Sequence, residues 1–235
     1  MPAKRLPDSD EERISTLKAI IEQEELNENE DNLLTIPEIH AYRNFLLTFE
    51  GTCLNFKQSM DDEIRADKSY VELFKTVQLY ISHFIQVLNL AIIRGEVKVD
   101  SLAFYGLENS NEFTVPDLST EEAIVEWGER LIQGDMERTC HGGTAIYNPA
   151  ISKVKVHYDL FKDSLHSLSI YRKNTIRAQE GLADMRDKAD RLIWDAWTKV
   201  EFKYWGLAPE ERDRKFREYR LHFHHGRGEQ LDVFG

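Results

Sequence analysis

Two cysteines, six prolines and twelve glycines are all that 235 residues contain of those three types. Cys53 and Cys140 are too few for a disulfide framework, so a reducing cytoplasm is the expected compartment. The shortage of Gly and Pro removes the punctuation that short-stranded β architectures need. Long apolar runs are also missing. Lys, Arg, Asp or Glu breaks every stretch, and the richest, Leu79 to Ile93, is short and carries His83, Gln86 and Asn89. No membrane span is expected from it, because about 20 apolar residues are required. The polar opening, Met1 to Asp10, lacks the apolar core of a signal peptide.

Positive charge is scarce as well. Against 42 acidic side chains stand 30 basic ones, a formal charge of −12. Residues 1–34 hold four basic and ten acidic groups, so half of the excess lies in that arm. Clustered Lys and Arg are what phosphate backbones require, and nucleic-acid binding is therefore disfavoured. The densest basic run, Arg212, Arg214, Lys215, Arg217 and Arg220, is interleaved with Glu210, Glu211, Asp213 and Glu218. It reads as a solvated helix face with some capacity for protein contact.

What is present is helical periodicity. Ser9 and Glu12 form a capping box that opens a helix to about Leu26, with Ile14, Leu17, Ile20 and Ile21 as a narrow apolar stripe. Thr35 and Glu38 form a second box with Pro37 in the first turn. The seam that follows is Ile39, Tyr42, Leu46, Phe49, Cys53, Phe56 and Met60, alternating steps of three and four. The polar stretch Asp61 to Lys68 reads as a hairpin tip. Ser69 and Glu72 then cap a returning helix whose seam is Phe74, Val77, Ile81, Phe84, Leu88 and Ala91, ending at Gly95.

The same pattern recurs 112 residues on. Pro37 maps to Pro149, and the first six seam positions, Ile39 to Phe56, map onto Ile151, Val154, Tyr158, Phe161, Leu165 and Leu168. Val77, Ile81, Phe84 and Leu88 map to Ala189, Ile193, Ala196 and Val200. The expected fold is all-α: an antiparallel four-helix bundle made of two repeated long hairpins, with additional shorter helices. Its parts are an acidic arm (1–34) and one bundle domain (35–235). The domain divides into hairpins 37–95 and 149–207, a connecting segment 96–148, and a C-terminal helix and tail 208–235. Ser119 to Glu122 opens a helix in the connection, through Ile124, Trp127 and Leu131, where Gly128 and Gly134 weaken the helix and mark either close packing or its end. Asn148 and Pro149 are expected as N-cap and first helical residue, the tail from Gly226 as frayed. Phe49, Phe56, Phe84, Phe161 and Leu165 are expected in the core.

Chemistry is thinly signalled. A ferritin-like di-metal site needs Glu-x-x-His on two helices, and no such tetrad occurs. His222, His224 and His225, with His141 and Cys140, are the candidate metal ligands, although their spacing matches no established zinc pattern. Cys140-His141-Gly142-Gly143-Thr144 places a thiol beside an imidazole, but adjacent residues rarely point at each other. The glycines suit a helix end better than a phosphate cradle. Cys53, on the seam, is expected as an inert core thiol. No catalytic residue and no cofactor are assigned. Trp194 and Trp197 lie three apart on one helix, and an exposed Trp194 would mark a partner site.

The leading expectation is a non-enzymatic helical protein acting through protein contacts, with a protein partner or a second copy of itself. Trp194, Arg212, Arg214 and Arg217 are its candidate contact residues. The rival is a small-molecule- or metal-binding enzyme, its site at a bundle end near Cys140, His141 and the C-terminal histidines.

Overall fold

A computed structural model describes residues 4–27, 32–107 and 114–223. Among these the elements are all helical: α1 (Asp10–Leu26), α2 (Ile36–Ile93), a 3-10 helix (Val99–Tyr105), α3 (Glu121–Cys140), α4 (Ile151–Tyr204) and α5 (Pro209–Glu218). A single isolated bridge pairs Lys4 with Phe223.

The expected hairpins are single helices. α2 runs through Asp61–Lys68 without a break, and α4 runs equally unbroken through Gly181. The physical reason is that 61–68 contains polar residues but no breaker. Asp62 and Arg65 pair three apart along the helix, and Arg172 of α4 reaches Asp67 at 3.2 Å. Polar side chains on a long helix face water without ending it. Ser69, expected as a cap, is consequently interior to α2.

The other caps fall where their chemistry dictates. Ser9 accepts from the Glu12 N–H, Thr35 exchanges bonds with Glu38, and Thr120 accepts from the Ala123 N–H. Gly95 has φ +73°, the left-handed conformation that closes α2 with bonds back to Ala91 and Ile92. Asn148 is not a helix cap: its φ is +58°, the Asn148–Pro149 bond is cis, and α4 starts at Ile151.

The chain divides into two compact units, unit 1 from residues 1–59 and 175–235 and unit 2 from 60–174. Unit 1 holds α1, the first part of α2, the last part of α4, and α5. Glu38 lies against Lys199, Tyr42 against Leu192 and Ser59 against Thr175, so the two long segments run antiparallel. Leu17, Ile20 and Ile21 of α1 join Tyr42, Phe49, Ile193, Trp197 and Phe216 in one core. The arm thus docks within the chain. Its ion pairs go to α4, with Arg13 bidentate on Asp190 and Arg186 bidentate on Asp10. Glu25 pairs with Arg43. Glu24 is buried, where its carboxylate accepts from the backbone N–H groups of Leu33 and Leu34 and from the Tyr219 hydroxyl. Burial, followed by the Glu24 carboxylate, pushes the Tyr219 phenol well above its ordinary range, so it stays a donor.

Glu38 supplies a pH test of unit 1. The Lys199 ammonium, and next the Thr35 N–H, hold its carboxyl down to about 2 from 4.5. A lowered folded pKa stabilises the fold above about pH 4.5, and that contribution is lost as pH falls toward 2. Both partners are partly exposed, which limits the effect to about 0–1 kcal/mol. Glu38→Gln is expected to melt slightly below the native protein at pH 7 and to coincide with it near pH 2. A gap that persists at low pH would show that charge is not its source.

Unit 2 holds the remainder of α2 and α4, the 3-10 helix and α3. Phe74 meets Phe161 and Tyr80 stacks on His157, again an antiparallel pair. Val77, Ile81, Phe84, Leu88, Leu102, Ile124, Leu131, Val154 and Phe161 form its core. Gly128 is required there, because a Cβ would stand 2.4 Å from the Tyr158 ring. At Gly134 a Cβ would stand 2.3 Å from the Phe104 carbonyl oxygen. Of the expected core residues, Phe49, Phe84 and Phe161 are fully buried. Phe56 and Leu165 are only partly so.

One described helix, α2, contains a stretch apolar and long enough to cross a membrane by composition, with 44% of that window buried in the protein. Much of its apolar side chain belongs to the unit 2 core. Amphipathic core helices pass the same compositional test, so it carries little weight.

Candidate functional site

The last turns of α4, in unit 1, present aromatic rings to solvent. Trp197 is turned inward, 1% exposed, with its indole N–H donating to the Tyr219 carbonyl at 2.9 Å. Trp194, three residues earlier, is 43% exposed. Phe202 is 91% exposed and Trp205 40%. At 3.6 residues per turn these three positions fall within an arc of about 80° on one helix face.

Cations flank the face. Lys4 Nζ lies 4.7 Å from the Trp194 ring centroid, and is held there by Thr198 and Glu201 at 2.9 Å each. The Arg212 guanidinium lies 5.1 Å from the Trp205 ring. Of the sequence candidates, then, the structure brings Trp194 and Arg212 to aromatic–cation contacts on unit 1. Arg214 reaches toward Glu211 and Glu218 at 3.7 and 3.9 Å, and Arg217 donates to the Asp213 carbonyl. Those two are occupied by their own helix. Trp205 is among the tryptophans that the sequence offers as surface candidates; Phe202, and its place on one face with both tryptophans, are not evident there. In the structure Trp194, Thr198, Glu201, Phe202 and Trp205 form an outward stripe beside the inward seam Ile193, Ala196, Trp197 and Val200.

The second region lies in unit 2, at the end of α3. Asp135 and Arg138 are buried and paired at 2.8 Å, and the Tyr105 hydroxyl donates to Asp135 while accepting from Arg138. Arg138 also donates to the Thr144 carbonyl, which pins the turn after α3. Burial, then the Asp135 carboxylate, pushes the Tyr105 phenol far up, so it remains a donor. Beside this network a cleft of about 450 Å³ is lined by Glu96, Asp100, Ser101, Phe104, Arg138, His141 and residues 142–144, among others. His141 Nδ1 lies 2.8 Å from the Glu137 carbonyl oxygen, and its ring sits beside Phe104. Cys140 is exposed, whereas Cys53 is partly buried, its thiol pushed up chiefly by that burial.

His222 belongs to unit 1, Cys140 and His141 to unit 2, and His224 and His225 lie outside the described residues. Among the described residues no three His, Cys, Asp or Glu side chains gather as a metal site.

No protein-family model, curated protein or solved structure matches this chain.

Proposed function

We propose that this chain works as a protein-contact module and that its partner seats on the face made by Trp194, Phe202 and Trp205. The exposure of Phe202, between two half-exposed tryptophans, carries the reading. Leaving a phenylalanine in water forgoes about 1.5–3 kcal/mol of burial, and a polar residue there would not disturb the core. Large aromatics with adjacent arginine are the residue types that dominate binding energy at interfaces. Lys4 and Arg212 on the flanks favour a partner whose apolar patch is rimmed by carboxylates. The partner is a different protein or a second copy of this chain. Exposed Met60, Ile64 and Val71 in unit 2 favour self-association, by which two pairs of long helices would complete a four-helix bundle.

The test is site-specific photocrosslinking in the native cell, with the photoreactive residue at position 202 and, as control, at exposed Lys162. One discrete adduct at 202, weakened at least tenfold by Trp205→Ala, supports the reading, and an adduct of twice the chain mass identifies self-association. Equal labelling from both positions would overturn it.

We also infer an internal duplication, of a short-helix–long-helix pair rather than a hairpin. Helix lengths of 17 and 58 residues in α1–α2 recur as 20 and 54 in α3–α4. At the 112-residue offset Phe49 and Phe161, Ile81 and Ile193, Leu88 and Val200, and Ile85 and Trp197 are all buried.

A second reading is favoured by the unit 2 cleft. Its wall of Arg138, His141 and Ser101 suits a small polar ligand, and an enzyme acting on one would use His141 there. Stoichiometric uptake of a small molecule or metal, lost in His141→Ala, would move the assignment to that reading.

A further inference from the structure

A cavity of about 280 Å³ in unit 1 is bounded by the segment around Arg5, by the first turns of α1, and by the residues that follow α5. Its polar lining is Arg5, Glu12, Ser15, Thr16, Arg220 and His222, with the buried Trp197 ring as an apolar wall. Its volume lies just below the roughly 300–1,000 Å³ of drug-sized pockets, which limits an occupant to a small molecule.

Three features of the lining bear on what could occupy it. Arg220 follows the C-cap of α5 with φ +52°, and Leu221 and Arg220 close the helix with bonds to Phe216 and Arg217. Glycine is the residue favoured in this conformation, since an L side chain is strained there. An arginine stands at that position, and its guanidinium extends to the Ser15 hydroxyl at 2.8 Å. Among the described residues that guanidinium has no carboxylate partner, which leaves several N–H donors uncommitted. Thr16 is only 4% exposed and belongs to the same lining. A threonine hydroxyl on a cavity wall can donate one hydrogen bond to an occupant. Finally, the Arg5 backbone N–H donates to the His222 backbone carbonyl at 2.9 Å, which brings that segment to the cavity, while the Arg5 guanidinium pairs with Asp8.

Opposing charge is small and already engaged. Glu12, the one acid in the lining, accepts from the Asp8 N–H at 2.8 Å, and Asp8 pairs with Arg5. The Trp197 N–H is spent on Tyr219 and offers only its ring. In a chain of net charge −12, this local gathering of cationic and hydroxyl donors is not a product of overall charge.

We propose that this cavity binds a small oxyanion, the phosphate or carboxylate group of a small molecule, with Arg220, Arg5 and Thr16 as its donors. The planar guanidinium fork matches either oxyanion, and the Trp197 ring packs whatever apolar part follows it.

Thermal melts of the full-length protein test this at low millimolar inorganic phosphate, acetate and chloride of matched ionic strength. Titration calorimetry runs alongside. The expected result is a saturable rise of about 2–4 °C with phosphate or acetate at roughly five times its Kd, against none with chloride. The arm that saturates at lower concentration tells phosphate from carboxylate. Arg220→Gly separates site from scaffold. It relieves the left-handed strain, so its melt without anion is expected at or above the native one, while the anion shift disappears. Thr16→Val keeps shape and is expected to weaken anion affinity at least threefold with an unchanged melt in chloride. Absence of a saturable response to both anions would overturn the proposal. So would a full response in Arg220→Gly or in Thr16→Val.

Discussion

Replacing Asp135 with alanine is expected to cost about 3–5 kcal/mol of the stability of unit 2, the largest effect of any single polar substitution there. The loss comes from Arg138. Its guanidinium is 3% exposed and has one anionic partner, so removal of Asp135 strands a charge that water cannot reach. Tyr105 loses its acceptor in the same step. The double replacement Asp135→Leu with Arg138→Met removes both charges and is expected to recover most of the loss, because well-packed apolar side chains often substitute for a buried ion pair. Urea unfolding followed by amide exchange across 60–174 would measure both. If the double variant is no more stable than Asp135→Ala, the damage lies in packing around the 3-10 helix and not in the orphaned charge.

Phe161→Ala is expected to cost a similar amount, about 3–5 kcal/mol, for a different reason. Phe161 is fully buried, with Phe74 edge-on and Tyr70 tilted, each ring 5.8 Å from its own. Truncation loses the transfer free energy of the ring and leaves a cavity, which two aromatic neighbours on a rigid helix cannot collapse to fill. The equivalent substitution in unit 1, Phe49→Ala, is expected to act likewise, since that ring is also wholly buried and stacks on Phe45. Phe202→Ala supplies the contrast: with its side chain in water, it should change stability by less than about 0.5 kcal/mol. A loss below about 1 kcal/mol at Phe161 would mean that the seam is not a packed core.

The helical seams and most of their ends are legible in the sequence because they rest on local chemistry. Ser9, Thr35, Thr120 and Gly95 act within four residues of themselves, and the steps of three and four along α2 and α4 directly mark the buried side. The turn expected at 61–68 does not form because charge alone does not reverse a chain; reversal needs a residue that cannot continue the helix. Glu24 and Asp135 were equally hidden. Both are acids on the apolar side of a short helix, and what makes burial tolerable arrives from far along the chain: Tyr219 for Glu24, Tyr105 for Asp135. One local hint existed, since Asp135 and Arg138 continue the Ile124–Leu131 seam at four and seven residues beyond Leu131. The aromatic face was half legible. Trp194 was visible as a candidate, but only the burial of Trp197 shows which way that helix side points.

The interleaving of the two units has a kinetic and entropic side. Unit 2 is one continuous stretch, 60–174, while unit 1 must bring together segments separated by all of it. Closing a flexible loop of that length costs about 4 kcal/mol in chain entropy by the logarithmic loop law, before its constant term. A folded unit 2 removes much of that cost, because its antiparallel α2 and α4 segments, packed through Phe74 and Phe161, already hold the two flanking chain segments together. At equilibrium this coupling is reciprocal, but the order of assembly is not: damage at Asp135 or Phe161 lengthens the loop that unit 1 has to close, whereas damage at Phe49 adds no loop to the continuous unit.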